Sequence, residues 1–218
     1  MLGCGFVFGL YAHAHLLSAV GATLAIWIAL SSLVDPIDRW RRGLTLPRAV
    51  LGMTVAHLGL ALAAFALTTV QSFTIERDVA LAPGATAKVG DYEVRFEGVR
   101  PVEGPNYEAV GGTLVVTHHG SPVAVMTPQK RRYWVQGTVK SETAIRWDRG
   151  NNVLLALGED LGSGRWSVRV QIRPLVSFVW IAAFIMALGG ALAASDRRYR
   201  TARALAPSPE VVTGAQVG

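Results

Sequence analysis

The chain has 218 residues, 51% of them hydrophobic and only 17% charged, with 21 Lys and Arg against 15 Asp and Glu. Soluble domains of this size carry about 25% charged residues, so the pI of about 10.0 and the mean hydropathy of +0.34 indicate a membrane protein rather than a nucleic-acid binder. The single cysteine, Cys4, excludes an internal disulfide, and the lack of any Cys-x-x-Cys-His means that the chain is not itself a c-type cytochrome.

No Asp, Glu, Lys or Arg occurs in residues 1–34, 49–75 or 174–195. About 20 apolar residues in a helix cross the ~30 Å hydrocarbon core, so three transmembrane helices are predicted and a secreted or cytosolic protein is excluded. Residues 1–34 hold an outer segment and helix one, best placed at about Leu16 to Val34, with Phe6 to His15 at or just outside its start. Cys4 reads as a small residue at a helix start, because no basic region or apolar stretch precedes it as in a lipoprotein signal. Residues 35–48 form a loop, 49–70 helix two, 71–173 a soluble block, 174–195 helix three and 196–218 a tail, disordered from Ala204 onward.

Orientation follows from the arginines. The loop carries Arg39, Arg41, Arg42 and Arg48 against Asp35 and Asp38, and the tail carries Arg197, Arg198, Arg200 and Arg203 against Asp196 and Glu210. Short Arg-rich segments stay cytoplasmic. The N-terminus and the soluble block are therefore expected outside, periplasmic in a bacterium, with the C-terminus inside. The chain would be a multi-pass protein of the bacterial inner membrane.

The soluble block, about 100 residues, is long enough for its own core and reads as all β. Alternation runs through Tyr92 to Glu97 and again through Trp166 to Ile172. Thr113 to Thr117 and Val123 to Met126 flank His118-His119-Gly120-Ser121-Pro122, a predicted hairpin. Turn signals recur at Pro83-Gly84, Gly90-Asp91, Gly104-Pro105-Asn106, Gly150-Asn151 and Gly162-Ser163-Gly164. The expected fold class is thus a membrane protein of α plus β type: three transmembrane helices, with a periplasmic small barrel or sandwich between helices two and three.

Candidate chemistry is sparse. The carboxylates of the block are scattered, and no nucleophile elbow, Walker loop or metalloprotease His-Glu pair occurs, so no catalytic residue is assigned. His118 and His119 read as a solvated turn, since adjacent side chains on a strand point to opposite faces and do not readily grip one ion. His13 and His15 read as an interfacial belt beside Tyr11, with a role near an external ligand as the alternative.

His57 differs from these. It lies in the charge-free run Leu51 to Leu60, and an ionisable group at membrane depth is costly and tends to serve a purpose. Gly52, Ala56, Gly59 and Ala63 would admit another helix or a flat macrocycle. Neutral imidazole is a good axial ligand for haem iron, and a hydrogen bond to a neighbouring helix is the competing reading. At 1.5 Å per residue His57 stands roughly 12 Å above the cytoplasmic end and His15 roughly 29 Å. Two imidazoles on one iron need nitrogens ~4 Å apart, which excludes that pair. A second ligand to iron would come from another segment or chain.

Several strings are distinctive together: Gly52-Met53 with Ala56-His57-Leu58-Gly59, Glu76-Arg77-Asp78-Val79 with Pro83-Gly84, Gly104-Pro105-Asn106-Tyr107, Lys130-Arg131-Arg132-Tyr133, Leu157-Gly158-Glu159 and Trp166-Ser167-Val168-Arg169. The most specific is Met186-Ala187-Leu188-Gly189-Gly190 with Ser195-Asp196-Arg197-Arg198-Tyr199-Arg200. Together they resemble the CcmF family, the haem lyase subunit of bacterial cytochrome c maturation. The resemblance covers nearly the whole chain but only the C-terminal third of a longer protein. It implies handling of haem received from a periplasmic haem chaperone, its attachment to apocytochrome c, and haem b held between two His on different helices. His57 corresponds to the second of these, with its partner in an N-terminal CcmF-like portion or subunit.

On the reading as a haem-lyase component the β domain would dock partners, among them other cytochrome c maturation subunits, and Lys130, Arg131 and Arg132 would meet haem propionates or an acidic partner, a solvated basic strand end being the competing reading of those three. Iron held by His57 is the only metal expected, and lipid but no nucleic acid is a partner. The tryptophan-rich haem-handling motif of the family is not in this sequence, whose six Trp are scattered. Activity is therefore not expected of this chain alone, which reads as a fragment or as the C-terminal subunit of a split system. A non-enzymatic membrane scaffold recruiting periplasmic partners is the alternative.

Overall fold

The computed structural model describes the backbone of residues 2–135 and 137–196, and side chains from Leu16 onward within those ranges. The side chains of Cys4, His13 and His15 and the expected disordered tail lie outside the described residues. Two compact units are present, one within residues 1–23 and 63–180, the other within 24–62 and 181–218.

Among the described residues, three helices are long and apolar enough to cross a membrane. They are α1 (Leu2–Arg41), α2 (Arg48–Phe73) and α3 (Val176–Ala194). Trp40 near the end of α1 and Trp180 near the start of α3 stand largely exposed, as amphipathic rings do at membrane–water interfaces.

Helix α1 runs seven residues past Val34, through what the charge pattern marks as the start of a loop. Charge does not stop a helix when it is arranged to support one. Arg39 pairs with Asp35 and Arg42 with Asp38, each at 3.0 Å and four residues apart, the spacing that places the two side chains on one helical face. Pro36 sits inside the helix and has no N–H to offer the Ser32 carbonyl. The Thr54 hydroxyl of α2 lies 3.4 Å from that oxygen and 2.9 Å from the Val50 carbonyl, so a buried side chain serves the acceptor that proline leaves.

The soluble block is a two-sheet sandwich rather than a barrel, as alternation alone could not decide. One sheet orders β1 (Ile75–Leu81), β10 (Trp166–Pro174), β9 (Asn151–Asp160) and β8 (Ala144–Asp148). The other orders β2 (Thr86–Val89), β3 (Tyr92–Glu103), β4 (Tyr107–His118), β6 (Gln129–Tyr133) and β7 (Val139–Glu142), with β5 (Ser121–Met126) also paired to β4. The period-two residues face one another across the core: Val94, Phe96, Leu114 and Val116 from one sheet, Val153, Leu155, Val168 and Val170 from the other, all at 0% exposure. Burying such a side chain is worth roughly 1.5–3 kcal/mol.

Turn chemistry fixes the register. His118 pairs with Ser121 across a two-residue turn, His119 and Gly120, at φ of +49° and +76°. Asp148 pairs with Asn151 across Arg149 and Gly150 at +47° and +91°. Two successive positive φ values match the twist of flanking strands. The two turns bring a polar chain to one end of the sandwich. Asn151 Nδ2 donates to the Tyr92 hydroxyl at 3.2 Å, and that hydroxyl donates to Asp148 Oδ2 at 2.9 Å.

Burial, together with the neighbouring Asp148 carboxylate, raises the Tyr92 pKa above its ordinary value of about 10. The protonated phenol is thus favoured in the folded state, so its contribution is complete below about pH 10 and is lost as pH rises through the raised value. In thermal unfolding of the detergent-purified chain, Tyr92→Phe is expected to make the stability loss above pH ~10 shallower than in the parent.

Candidate functional site

His57 lies midway along α2, on an exposed part of the helix surface. The small residues beside it are taken by a helix. A Cβ on Gly52 would stand 2.6 Å from the Gly189 carbonyl oxygen of α3, and one on Gly59 would stand 2.7 Å from Met186 Cγ and 3.0 Å from the Ala182 carbonyl oxygen. Only hydrogen at these positions lets the two backbones approach so closely. The strip that the sequence leaves open to helix or macrocycle is thus occupied by α3, and His57 lies outside that contact. Met53 and Leu60, one helical turn away, are 47% and 41% exposed. They give His57 an apolar, uncovered surround.

The imidazole is oriented by its own helix. Nδ1 lies 2.8 Å from the Met53 carbonyl oxygen. A carbonyl only accepts, so Nδ1 carries the proton and Nε2 presents its lone pair. A ring nitrogen bonded to a backbone carbonyl while the other is free is the arrangement seen in metal-bound histidine. The donor set fits one axial position on a haem iron, and one only.

Asp196 joins the chain just beyond α3 to the start of α2. It is 7% exposed, and its Oδ2 accepts the Ala49 N–H at 2.9 Å. An anion at the first turn of α2 satisfies a free N–H and complements the helix dipole. This fixes the end of α3 beside the start of α2.

The basic run Lys130-Arg131-Arg132 forms no single patch, because alternation along β6 sends Arg131 to the opposite face from its neighbours. Each residue already has a carboxylate: Lys130 with Glu159 at 2.5 Å, Arg131 with Glu142 at 3.7 Å and Arg132 with Glu108 at 3.8 Å. Arg131 also lies over the Tyr107 ring, 4.5 Å from its centre, and its hydrogen bond with Tyr133 pushes its pKa up. Lys130 and Arg132 border one recess beside Val102 and Val110. Lys130 also borders a cleft of about 710 Å³ with Asp78, Glu159, Arg169 and Gln171. There the Arg169 guanidinium holds the Asp78 carboxyl below its usual range.

His118 and His119 depart from the expected arrangement. The alternation rule does not apply between them, because His119 leaves the strand in the left-handed conformation. Their rings stack with centres 4.6 Å apart and planes 26° apart. Adjacent histidines here share a side, and the solvated-turn reading holds for the exposed His119 but is corrected for His118, whose side chain is only 13% exposed and bonds Asp148.

Residues 72–174 match a family model described as the CcmF C-terminal beta-sandwich. The chain is similar to the C-terminal part of CcmF-family proteins. It is 38% identical over 183 residues to the cytochrome c-type biogenesis protein CcmF of Pseudomonas aeruginosa, covering 81% of this chain and 28% of that protein. With the Escherichia coli K12 protein of the same name it shares 35% over 184 residues, covering 84% and 28%. A solved structure titled Cytochrome c Heme Lyase CcmF superposes with a TM-score of 0.64 over 84% of this chain and 34% of that one, at 19% identity. The chain therefore spans about 28% of the length of the curated relatives it matches. The strings that carried the resemblance acquire physical roles. Gly52, Gly59 and Gly189 make the helix contact, and Asp196 caps α2.

Proposed function

We propose that this chain is the C-terminal part of a haem lyase component of cytochrome c maturation, supplying one axial ligand to a haem b through His57. The observation that carries the reading is the free Nε2 of His57 on an apolar face that α3 leaves uncovered, with Nδ1 committed to Met53. The second axial histidine belongs to an N-terminal CcmF-like portion or subunit, which covers the Met53–His57–Leu60 face. When bound, haem b supplies a one-electron ferric–ferrous couple. His57 would hold it through Nε2, while Met53 and Leu60 would help to keep water from it.

The proposal extends to placement. The arginines around Arg39 to Arg48 stay cytoplasmic, so the sandwich faces the periplasm of a bacterial inner membrane, with the N-terminus on the same side and the C-terminus opposite. There it would dock a haem chaperone, apocytochrome c and other maturation subunits. Lys130 and Arg132, on one face of β6, are the cations that would meet a haem propionate or an acidic partner by exchanging their present carboxylates. Arg131, held over Tyr107, would support that strand.

The test is a visible absorption spectrum of the detergent-purified chain, produced with and without its N-terminal counterpart. A reduced b-type spectrum only on co-production is expected. No haem in either sample overturns the reading and favours a scaffold without cofactor.

A further inference from the structure

The register of the β sandwich brings Asp91 beside two adjacent histidines, His118 and His119, that lie far from it in sequence. Asp91 sits in the turn between β2 and β3, directly before Tyr92, and Tyr92 pairs with His118 across the ladder. That pairing sets Asp91 beside the His119 turn, where the His119 N–H lies 3.4 Å from the Asp91 carbonyl oxygen. One ligand atom from each of Asp91, His118 and His119 lies within 4.8 Å of the other two.

We propose that Asp91, His118 and His119 form a binding site for a divalent transition ion of the Zn²⁺ type, with Asp148 as the residue that positions His118. Two imidazoles and a carboxylate suit Zn²⁺, and three protein ligands leave a fourth position for water.

The surroundings support a site rather than a chance meeting of exposed groups. His118 Nδ1 lies 2.8 Å from Asp148 Oδ2, so Nδ1–H donates and Nε2 keeps its lone pair for a ligand bond. A carboxylate that fixes the tautomer and angle of a histidine is the usual outer partner of a zinc ligand. Asp148 is itself held by the hydroxyl of Tyr92, a residue 2% exposed, and the Tyr92 ring stacks on His118 with centres 4.3 Å apart. His118 is thus fixed, while His119 and Asp91 are exposed and free to turn. Tetrahedral zinc with bonds of ~2.0–2.1 Å needs donors ~3.4 Å apart. Rotation of those two exposed side chains supplies the closure.

The site lies in the sandwich and uses no atom of His57. Its test therefore stands apart from that of haem binding. The full chain, purified in detergent without a histidine tag and stripped with EDTA, would be titrated with Zn²⁺ against a chromophoric chelator. One ion per chain with a Kd of ~10 µM or tighter is expected, and His57→Ala is expected to bind it equally. His119→Ala, at an exposed turn where folding is not at stake, is expected to weaken binding more than tenfold. Asp148→Asn is expected to weaken it by about 10–100-fold, as loss of an outer partner does, while leaving one ion per chain at saturation. Zn²⁺ binding no tighter than ~1 mM, or equal affinity in the parent and His119→Ala, overturns the assignment.

Discussion

Replacing His57 with alanine is expected to remove haem b from the assembled protein, leaving no reduced b-type band where the parent shows one. The substitution deletes a ring whose Nδ1 is committed to Met53 and whose Nε2 is left for a ligand, and the side chains of Met53 and Leu60 beside it offer no nitrogen. Losing an outer-shell partner of a metal ligand already costs ~10–100-fold in affinity, so losing the ligand itself costs more. The α2–α3 contact runs along Gly52 and Gly59 and does not involve the imidazole. The variant is therefore expected to accumulate in the membrane and to assemble with its N-terminal counterpart. Unchanged haem content in that complex would refute the axial role and leave His57 as a residue that caps its own helix carbonyl.

The second large effect concerns two adjacent glycines with opposite surroundings. A Cβ on Gly189 would stand 2.7 Å from the Gly52 carbonyl oxygen and closer still to the Ala56 nitrogen, whereas a Cβ on Gly190 would meet nothing within 4 Å. Both obstacles at Gly189 are backbone, which cannot turn aside as a side chain does. Gly189→Ala is expected to force α2 and α3 apart at a cost of about 3 kcal/mol, the upper end of the overpacking range. Gly190→Ala is expected to be neutral or slightly stabilising, because alanine is the better helix former. Thermal unfolding in detergent separates the two. Equal transition temperatures would show that the close approach is not required for the fold.

The three spans were legible because transfer into lipid is a local property. An uninterrupted run without charge can be read one residue at a time, and so can the period-two alternation of Tyr92–Glu97 and Trp166–Ile172. His57 stood out for the same reason: its cost is set by the apolar residues on either side of it. The end of α1 was not legible, because the same four acids and bases that mark a polar segment also form two helical pairs, Asp35–Arg39 and Asp38–Arg42. The basic run is divided between two faces, each member matched to a carboxylate from another part of the chain.

A membrane chain with three spans, an all-β block, a histidine at membrane depth and, through its motifs, a resemblance to the CcmF family are thus written in local stretches of the sequence. Those features depend on residues within a few positions of one another. Tertiary structure alone decided sandwich over barrel, and it alone gave the glycine strip to α3. It also placed Asp196 on the Ala49 N–H, 147 residues away, and Asp148 on His118, 30 residues away. Such pairings depend on strand register and on which helices pack, and one register slip would turn every side chain of a strand to its other face. The left-handed backbone at His119 reversed the expectation for its neighbour in the same way. A single φ of +49° sets two adjacent histidines side by side, where extended backbone would have set them on opposite faces.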